Sequence, residues 1–341
     1  MDSGDRGGVS DALDDVPVDG HVLHGSGENG HEVLPGSPSS SDLFAGGGEV
    51  GALMRQVDWS ATPLGPVATW PQSLQTVVRI LLTSRFAMWM GWGPDLTFLY
   101  NDTYGRVTLG KKHPWALGKP AREVWREIWG DIGPRIQRVL EGGRATWDEA
   151  LLLFLERSGY REETYHTFSY SPLSGDDGSI MGMLCVVTEE TERVIGERRL
   201  TFLRGLASAL GTAILEADVL AAIESSLDQS PKDLPFALTY LVGDDGYARL
   251  ASSSGIEAGH PAAPNHIAME DSDSPWPVAE LLAQKTLISV DNLEDLFGKL
   301  PTGAWDIPPE RAVIVPLQRQ GQDRPAGIFI AGLNPYRQLD T

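Results

Sequence analysis

Residues 167–200 restrict the possible folds more than any other stretch of the sequence. Two β-prone runs, 167–172 and 180–188, flank a segment whose Gly and Asp residues suit a hairpin turn. The pattern then becomes charged with helical spacing, and Thr188 or Thr191 is a suitable N-cap beside glutamates that favour the positive end of the helix dipole. We therefore predict a β-hairpin that runs directly into a helix, so that a change in the sheet can move the helix.

Composition limits the class of protein. A chain of 341 residues suggests about two domains, and 47 acidic against 27 basic residues argue against a nucleic-acid partner. No apolar run is long enough for a membrane helix and no signal peptide is recognisable, so we expect a cytoplasmic protein without membrane contact. The single cysteine, Cys185, is predicted to be a buried, inert thiol rather than a redox group.

Residues 1–48 are rich in Gly, Ser, Asp and Pro and are predicted to form a disordered acidic tail. Its histidines allow a metal-binding tail, but no ligand spacing repeats, and solvated side chains are the favoured interpretation; they are His21, His24 and His31. The run from His31 to Pro35 superficially resembles a phospho-acceptor box, although it lacks the surrounding residues and a helical setting.

Residues 49–85 are predicted to form a helical cap in which Pro71 begins a helix. Strands are predicted over 86–92, 96–100, 146–156, 160–172 and 180–188. Between the second and third strands lie short helices, with Asn101 or Asp102 as the first N-cap and a break expected at 130–134. The set predicts one antiparallel sheet with helices on it.

This order, with Tyr100-Asn101-Asp102 opening the helix after the second strand, resembles the PAS domain over residues 86–191. The longer motifs WSATPLGPVATWPQSL and LYNDTYGRVTLGKKHPWALGKPAREVW are similar to the N-terminal PAS region of bacterial sensor histidine kinases, often hybrid kinases, that carry a PAS and then a GAF domain. Where many PAS domains end in Asp-Ile-Thr, this chain has Thr188-Glu-Glu-Thr191.

Residues 192–217 are predicted to form a linker helix with a heptad-like apolar seam, which either pairs with a second copy or lies on its own domain's sheet. The seam consists of Leu200, Leu203, Ala207, Leu210 and Ile214. Residues 218–341 resemble a GAF domain through PFALTYLVGDDG and RAVIVPLQRQGQDRPAGIFIAGLNP, without that family's closing helix. The expected fold class is α+β, with PAS-like and GAF-like antiparallel-sheet domains joined by a helical linker.

The resemblance implies a small-molecule pocket between the PAS sheet and its short helices, in a region that is aromatic in this chain. The candidate ligand-binding residues are Trp89, Trp92, Tyr104, Trp125, Trp129, Phe168 and Tyr170. The same rings fill a core without a ligand, which is the favoured alternative. The cofactor is unknown, because no haem, flavin-adduct or bilin-attachment motif is present, and no metal-binding or catalytic motif is found.

The resemblance therefore predicts a signal-sensing module of a two-component or phosphorelay histidine kinase that binds a small ligand or a partner. It is expected to be a homodimer that regulates a transmitter in cis or in trans and to lack enzyme activity of its own. The alternatives are the sensory front end of a PP2C-type phosphatase or a cyclic-dinucleotide enzyme, and a stand-alone protein-interaction scaffold.

Overall fold

The computed structural model describes residues 42–271, 274–319, 321 and 324–338. Residues 1–41 of the predicted disordered tail lie outside the described residues, and so do its three histidines. Leu43 and Phe44 were predicted to belong to the tail, but both are buried in the first core. The tail boundary at residue 48 is thus wrong, because the Phe44 ring packs against Trp59 and Trp70.

The first domain is one antiparallel sheet with helices before it and within it. Its strands follow the order β2-β1-β5-β4-β3, which places the first and last strands side by side in the centre. The elements in chain order are α1 (Gly48–Gln56), α2 (Gln72–Thr83), β1 (Ala87–Trp92), β2 (Thr97–Tyr100), α3 (Asp102–Tyr104), α4 (Ala121–Val124), α5 (Trp129–Gly142), β3 (Thr146–Leu155), β4 (Glu162–Ser174) and β5 (Ile180–Glu189).

Two carboxylates from distant parts of the sequence fix the N-terminal helices to this sheet. Asp176, in the β4–β5 hairpin, accepts hydrogen bonds from the first amides of α2, at 2.8 Å from Ser73 N. Asp102 does the same for α1, at 2.8 Å from Val50 N. The predicted cap of α3 is Asn101, whose side chain accepts from Tyr104 N at 3.0 Å. Each helix thus gains a partner for its unpaired N-terminal amides.

One expected helix break is wrong. Residues 130–134 lie inside α5, which begins at Trp129 and includes Pro134. The interruption comes earlier, between α4 and α5, where residues Arg126–Ile128 form a short 3-10 turn. Proline is accommodated here because it lies in the second turn of the helix, close to the end where amides lack partners.

The linker consists of two helices, α6 (Thr191–Leu210) and α7 (Glu216–Asp228). The predicted single helix over 192–217 is therefore wrong at its C-terminal end, and Ile214 lies in the turn between the two helices. Asp218 stabilises the start of α7, because its carboxylate accepts from Leu215 N at 3.0 Å. At the start of α6 the N-cap residue is Glu190, whose side chain makes no capping hydrogen bond. The predicted caps, Thr188 and Thr191, therefore do not cap the helix.

The second domain is also an antiparallel sheet, in the order β8-β7-β6-β11-β10-β9. Strand β8 and helix α9 were not predicted, and they fall where the sequence has loop-forming residues. The elements are β6 (Phe236–Val242), β7 (Tyr247–Ser254), β8 (His266–Ala268), α8 (Val278–Gln284), β9 (Ile288–Asp291), α9 (Leu293–Phe297), β10 (Arg311–Leu317) and β11 (Gly327–Gly332).

The predicted fold class is confirmed, since two antiparallel sheets, each with its own buried core, are joined by helices. Within the described residues, no helix combines the length and the apolar character that crossing a membrane requires.

Candidate functional site

A small cavity lies inside the first domain, between the sheet and the short helices. Five of the predicted pocket residues line it: Trp89, Tyr104, Trp125, Phe168 and Tyr170. The other two do not. Trp92 is buried elsewhere in the same core, and Trp129 lines a separate surface groove, where its ring lies against Gly133.

The cavity has a volume of about 30 Å³. That is room for one or two water molecules, whereas pockets for drug-sized ligands measure roughly 300–1,000 Å³. Its size follows from the rings around it, which contact one another at their edges: Trp89 and Tyr170 are 6.0 Å apart and Tyr104 and Trp125 are 6.3 Å apart between centroids. The aromatic side chains therefore act mainly as core in this conformation.

The polar groups that face the cavity are held neutral near pH 7. Burial lowers the pKa of His166 to about 4, and its Nε2 lies 3.1 Å from the Thr164 hydroxyl. Burial also raises the pKa of the Tyr104 and Tyr170 phenols and of the Cys185 thiol. Such a wall can exchange hydrogen bonds with water or a very small neutral molecule, but it offers no charge to bind an ion.

The junction of β5 and α6 is fixed by an ion pair. Arg157, from the β3–β4 turn, donates two hydrogen bonds to the Glu189 carboxylate, at 2.6 and 2.7 Å. Burial raises the pKa of Glu189, but the hydrogen bonds and charge of Arg157 outweigh this effect, and the pKa lies below its usual value. The parallel, two-pronged geometry is the strong form of this interaction.

Thr191 completes the junction. Its hydroxyl donates to Glu189 at 2.9 Å and accepts from Tyr165 N at 3.0 Å. Glu189 and Thr191 thus stand two residues apart at the strand exit, the same spacing as the Asp and Thr of Asp-Ile-Thr. The helix begins at a point that is tied to three strand ends: those of β3, β4 and β5.

Helix α6 has two distinct faces. On its inner face Ile195 is buried, and Phe202 packs against an apolar cluster of α7 and the second sheet that includes Leu227 and Ala331. On its outer face Leu200 is 45% exposed and Leu203 is 57% exposed. Ala207 is exposed on the same stripe, and Leu210 is partly buried. The predicted seam therefore does not lie on the sheet of its own domain.

Residues 83–195 match the family model of the PAS fold. This part of the chain is similar to PAS domains and has a PAS-like fold. Comparison with curated proteins gave no match.

Among solved structures, part of the chain is similar to a sensory box sensor histidine kinase from Vibrio cholerae, at 16% identity and a TM-score of 0.25 over 35% of this chain and 92% of that one. It is similar to the GAF domain of an Acinetobacter phosphoenolpyruvate-protein phosphotransferase, at 14% identity and a TM-score of 0.31 over 42% and 81%. It is also similar to the chromophore-binding domain of Stigmatella aurantiaca phytochrome P1, at 10% identity and a TM-score of 0.30 over 72% and 85%.

Several residues important to the PAS domain were not singled out from sequence. Arg157 and Glu189 are 32 positions apart, and only the strand pairing brings them together. His166 is another such residue: it is buried on the cavity wall, where its Nε2 lies 3.1 Å from the Thr164 hydroxyl. The alternation of polar and apolar residues along β4 could have indicated that His166, Phe168 and Tyr170 share one face. Cys185 is buried, as predicted.

Proposed function

We propose that this chain is the cytosolic sensory part of a histidine-kinase signalling system, built from a PAS domain, a two-helix linker and a GAF-like domain, and that it carries out no catalysis itself. The observation that supports this proposal most is the strand exit. Strand β5, from a sheet with a closed aromatic core, leads directly into helix α6, and the Arg157–Glu189 pair holds the junction. The outer apolar stripe of α6 is left exposed.

The stripe favours a second copy of the chain as its partner. Leu200, Leu203, Ala207 and Leu210 recur at alternating spacings of three and four, which is the pattern of a two-helix seam. Because the inner face of α6 already packs on its own domains, the stripe remains available for pairing. A shift of β5 would then change the register or rotation of the helix pair, and a transmitter in cis or in trans would respond to that change.

The size of the cavity bears on what is sensed. A volume of about 30 Å³ favours detection of a partner protein at the surface over a buried cofactor-sized ligand. This makes the stand-alone interaction scaffold the second candidate function. A small ligand remains the proposed signal only if the aromatic wall opens to admit it.

The dimer is tested by analytical ultracentrifugation of the full chain and of Leu203→Asp. A carboxylate placed within the apolar seam should weaken self-association by about 100-fold or more, because the charge must be removed from water without a partner. Ser208→Asp is the matched control, since it adds the same charge one residue beyond Ala207, outside the seam. An unchanged dimer in Leu203→Asp contradicts the helix-pair mechanism.

The ligand question is tested by comparing native and denaturing mass spectra of the full chain. Additional mass that is lost on denaturation would support a bound small molecule and would require an open form of the cavity. A clean apo dimer would support partner sensing through the helices. An apo monomer would contradict the proposed dimeric mechanism.

A further inference from the structure

A fully buried carboxylate lies where the PAS domain, helix α6 and the GAF-like domain meet. Glu163, on β4, has no exposed side-chain surface. Its carboxylate accepts hydrogen bonds from Tyr165 at 2.8 Å, from Asn334 Nδ2 at 2.7 Å and from Arg198 Nη1 at 2.7 Å. The three donors come from the PAS sheet, the GAF-like domain and the linker helix, respectively. A buried carboxylate of this kind is tolerated only because it is paired and hydrogen-bonded.

The same arginine also binds a carboxylate of the GAF-like domain. Arg198 donates to Asp233, just before β6, from Nε at 2.8 Å and from Nη2 at 2.7 Å. The planar guanidinium has five N–H donors in a fixed geometry, which lets one side chain hold two carboxylates at once. Arg198 therefore connects a PAS strand to the GAF-like domain from a position on the helix between them.

The surrounding contacts show that this junction is packed. Phe154 of β3 packs against Tyr336, with centroids 4.4 Å apart and the rings inclined at 50°, and meets Trp305 edge-on at 5.9 Å. The Glu163 amide donates to the Tyr336 carbonyl at 3.1 Å, so a strand of one domain bonds to the backbone of the other. Arg161 lies over both Phe154 and Tyr336. The two domains thus share aromatic, ionic and backbone contacts.

Electrostatics make this junction suited to two discrete states. In the closed arrangement, one guanidinium charge compensates two carboxylates, with the half-exposed Arg199 3.6 Å from Asp233 as the only other ion pair found for these two acids among the described residues. If the domains separate, Arg198 can remain with only one carboxylate. The other must then be solvated, because an unpaired charge cannot stay in a buried site.

We propose that Arg198 is a latch that couples the PAS domain to the GAF-like domain through helix α6. This inference rests on the proposed function, since it describes how a signal in one domain reaches the other. Movement of α6 relative to β4 breaks the bond to Glu163, and movement relative to β6 breaks the bond to Asp233. A displacement in either domain is therefore passed on through Arg198 before it reaches the seam of the helix.

The test is amide hydrogen exchange of the full chain, measured by NMR. The reporter is the Glu163 amide, which donates a hydrogen bond across the junction to the Tyr336 carbonyl. Arg198→Met keeps an unbranched apolar stem, shorter than that of arginine, and removes the charge and the donors. It should speed exchange of the Glu163 amide by roughly 100-fold, because the uncompensated Glu163 favours an open junction. Exchange in the central strand β5 should stay within about threefold of the wild type.

Two further variants separate a latch from a general loss of stability. Arg193→Met is the matched control: Arg193 lies on the same helix, its ion pairs among the described residues are with Glu190 and Glu197 at the surface, and the replacement should leave the Glu163 amide unchanged. Glu163→Gln combined with Arg198→Met removes the unpaired charge and should restore most of the protection.

Unchanged exchange at Glu163 in Arg198→Met overturns the proposal, and so does an equal rise in β5, which would indicate global destabilisation. The same measurement on the Leu203→Asp background distinguishes this proposal from the dimer. A dimer that survives Leu203→Asp while the junction still responds to Arg198→Met contradicts the proposed function alone, whereas a dimer that Leu203→Asp disrupts but whose junction is insensitive to Arg198→Met contradicts only the latch.

Discussion

The replacement Arg157→Met tests how firmly the PAS sheet holds the start of helix α6. The side chains of Arg157 and Glu189 are only 16% and 21% exposed, and they share two short hydrogen bonds. Breaking a fully buried pair costs about 3–5 kcal/mol, and partial exposure of both groups reduces the expected loss to about 2–3 kcal/mol. This loss applies to the free energy of unfolding of the PAS domain.

The assay is urea denaturation followed by tryptophan fluorescence, since Trp89 and Trp125 are in the PAS core. Arg106→Met is the control, because Arg106 is mostly exposed and lies as far as 4.0 Å from its acidic partner, Asp102. This replacement should change the free energy of unfolding by no more than about 0.5 kcal/mol. The double variant Arg157→Met/Glu189→Gln should recover part of the loss but not all of it, because Arg157 also pairs with Glu162 at 3.1 Å and donates to the Val107 carbonyl at 2.7 Å. A loss below about 0.5 kcal/mol in Arg157→Met, or no recovery in the double variant, would refute the reasoning.

The same pair has a defined pH dependence. Because the pKa of Glu189 is lowered in the folded protein, the pair stabilises the fold above the ordinary carboxyl pKa. That contribution is lost as the pH falls through the lowered folded value. The difference in unfolding free energy between the wild type and Arg157→Met should therefore shrink toward acidic pH.

Three other predictions concern the PAS domain. His166 has a folded pKa of about 4 against 6.5 when unfolded, so the fold should lose about 3 kcal/mol as the pH falls between these values; urea titrations should show this loss in the wild type and not in His166→Gln. Asp102→Ala should destabilise α1 by about 1 kcal/mol, measured by hydrogen exchange, since Asn101 and not Asp102 caps α3. The buried Cys185 thiol, whose pKa is raised by burial, should react with a maleimide only in denaturant; labelling of the native protein would contradict this.

The strands of both sheets could be predicted from sequence because their signals are local. A hairpin needs alternating β-prone residues and a turn such as 174–179 or 243–246, all within about twenty residues. The missed strand β8 is only three residues long, and its pairing with β7 depends on the sheet rather than on its own sequence. The tail boundary failed for a similar reason: Leu43 and Phe44 are isolated apolar residues in a glycine-rich stretch, and only the core explains them.

The aromatic cluster shows the limit of the sequence at the site. Sequence and resemblance together were sufficient to bring Trp89, Tyr104, Trp125, Phe168 and Tyr170 to one place. They could not determine the volume that remains between the rings, because this depends on ring orientations and on the neighbouring aliphatic side chains. Trp129 was misplaced because the helix break, expected at 130–134, occurs at 126–128; Trp129 therefore begins α5 and lines the surface groove.

Helix α6 carries two patterns, and only one of them is visible as an apolar periodicity. The outer stripe consists of apolar residues at regular spacing, so it is predicted easily. The inner face combines Thr191, Ile195, Arg198 and Phe202, and two of these four are polar residues whose partners lie in other elements. Arg198 is partly buried and pairs with Glu163 and Asp233, so its contacts cannot be read from an apolar periodicity. In the proposed mechanism, a helix held in this way transmits movement between both sheets, and its exposed stripe pairs with a second copy.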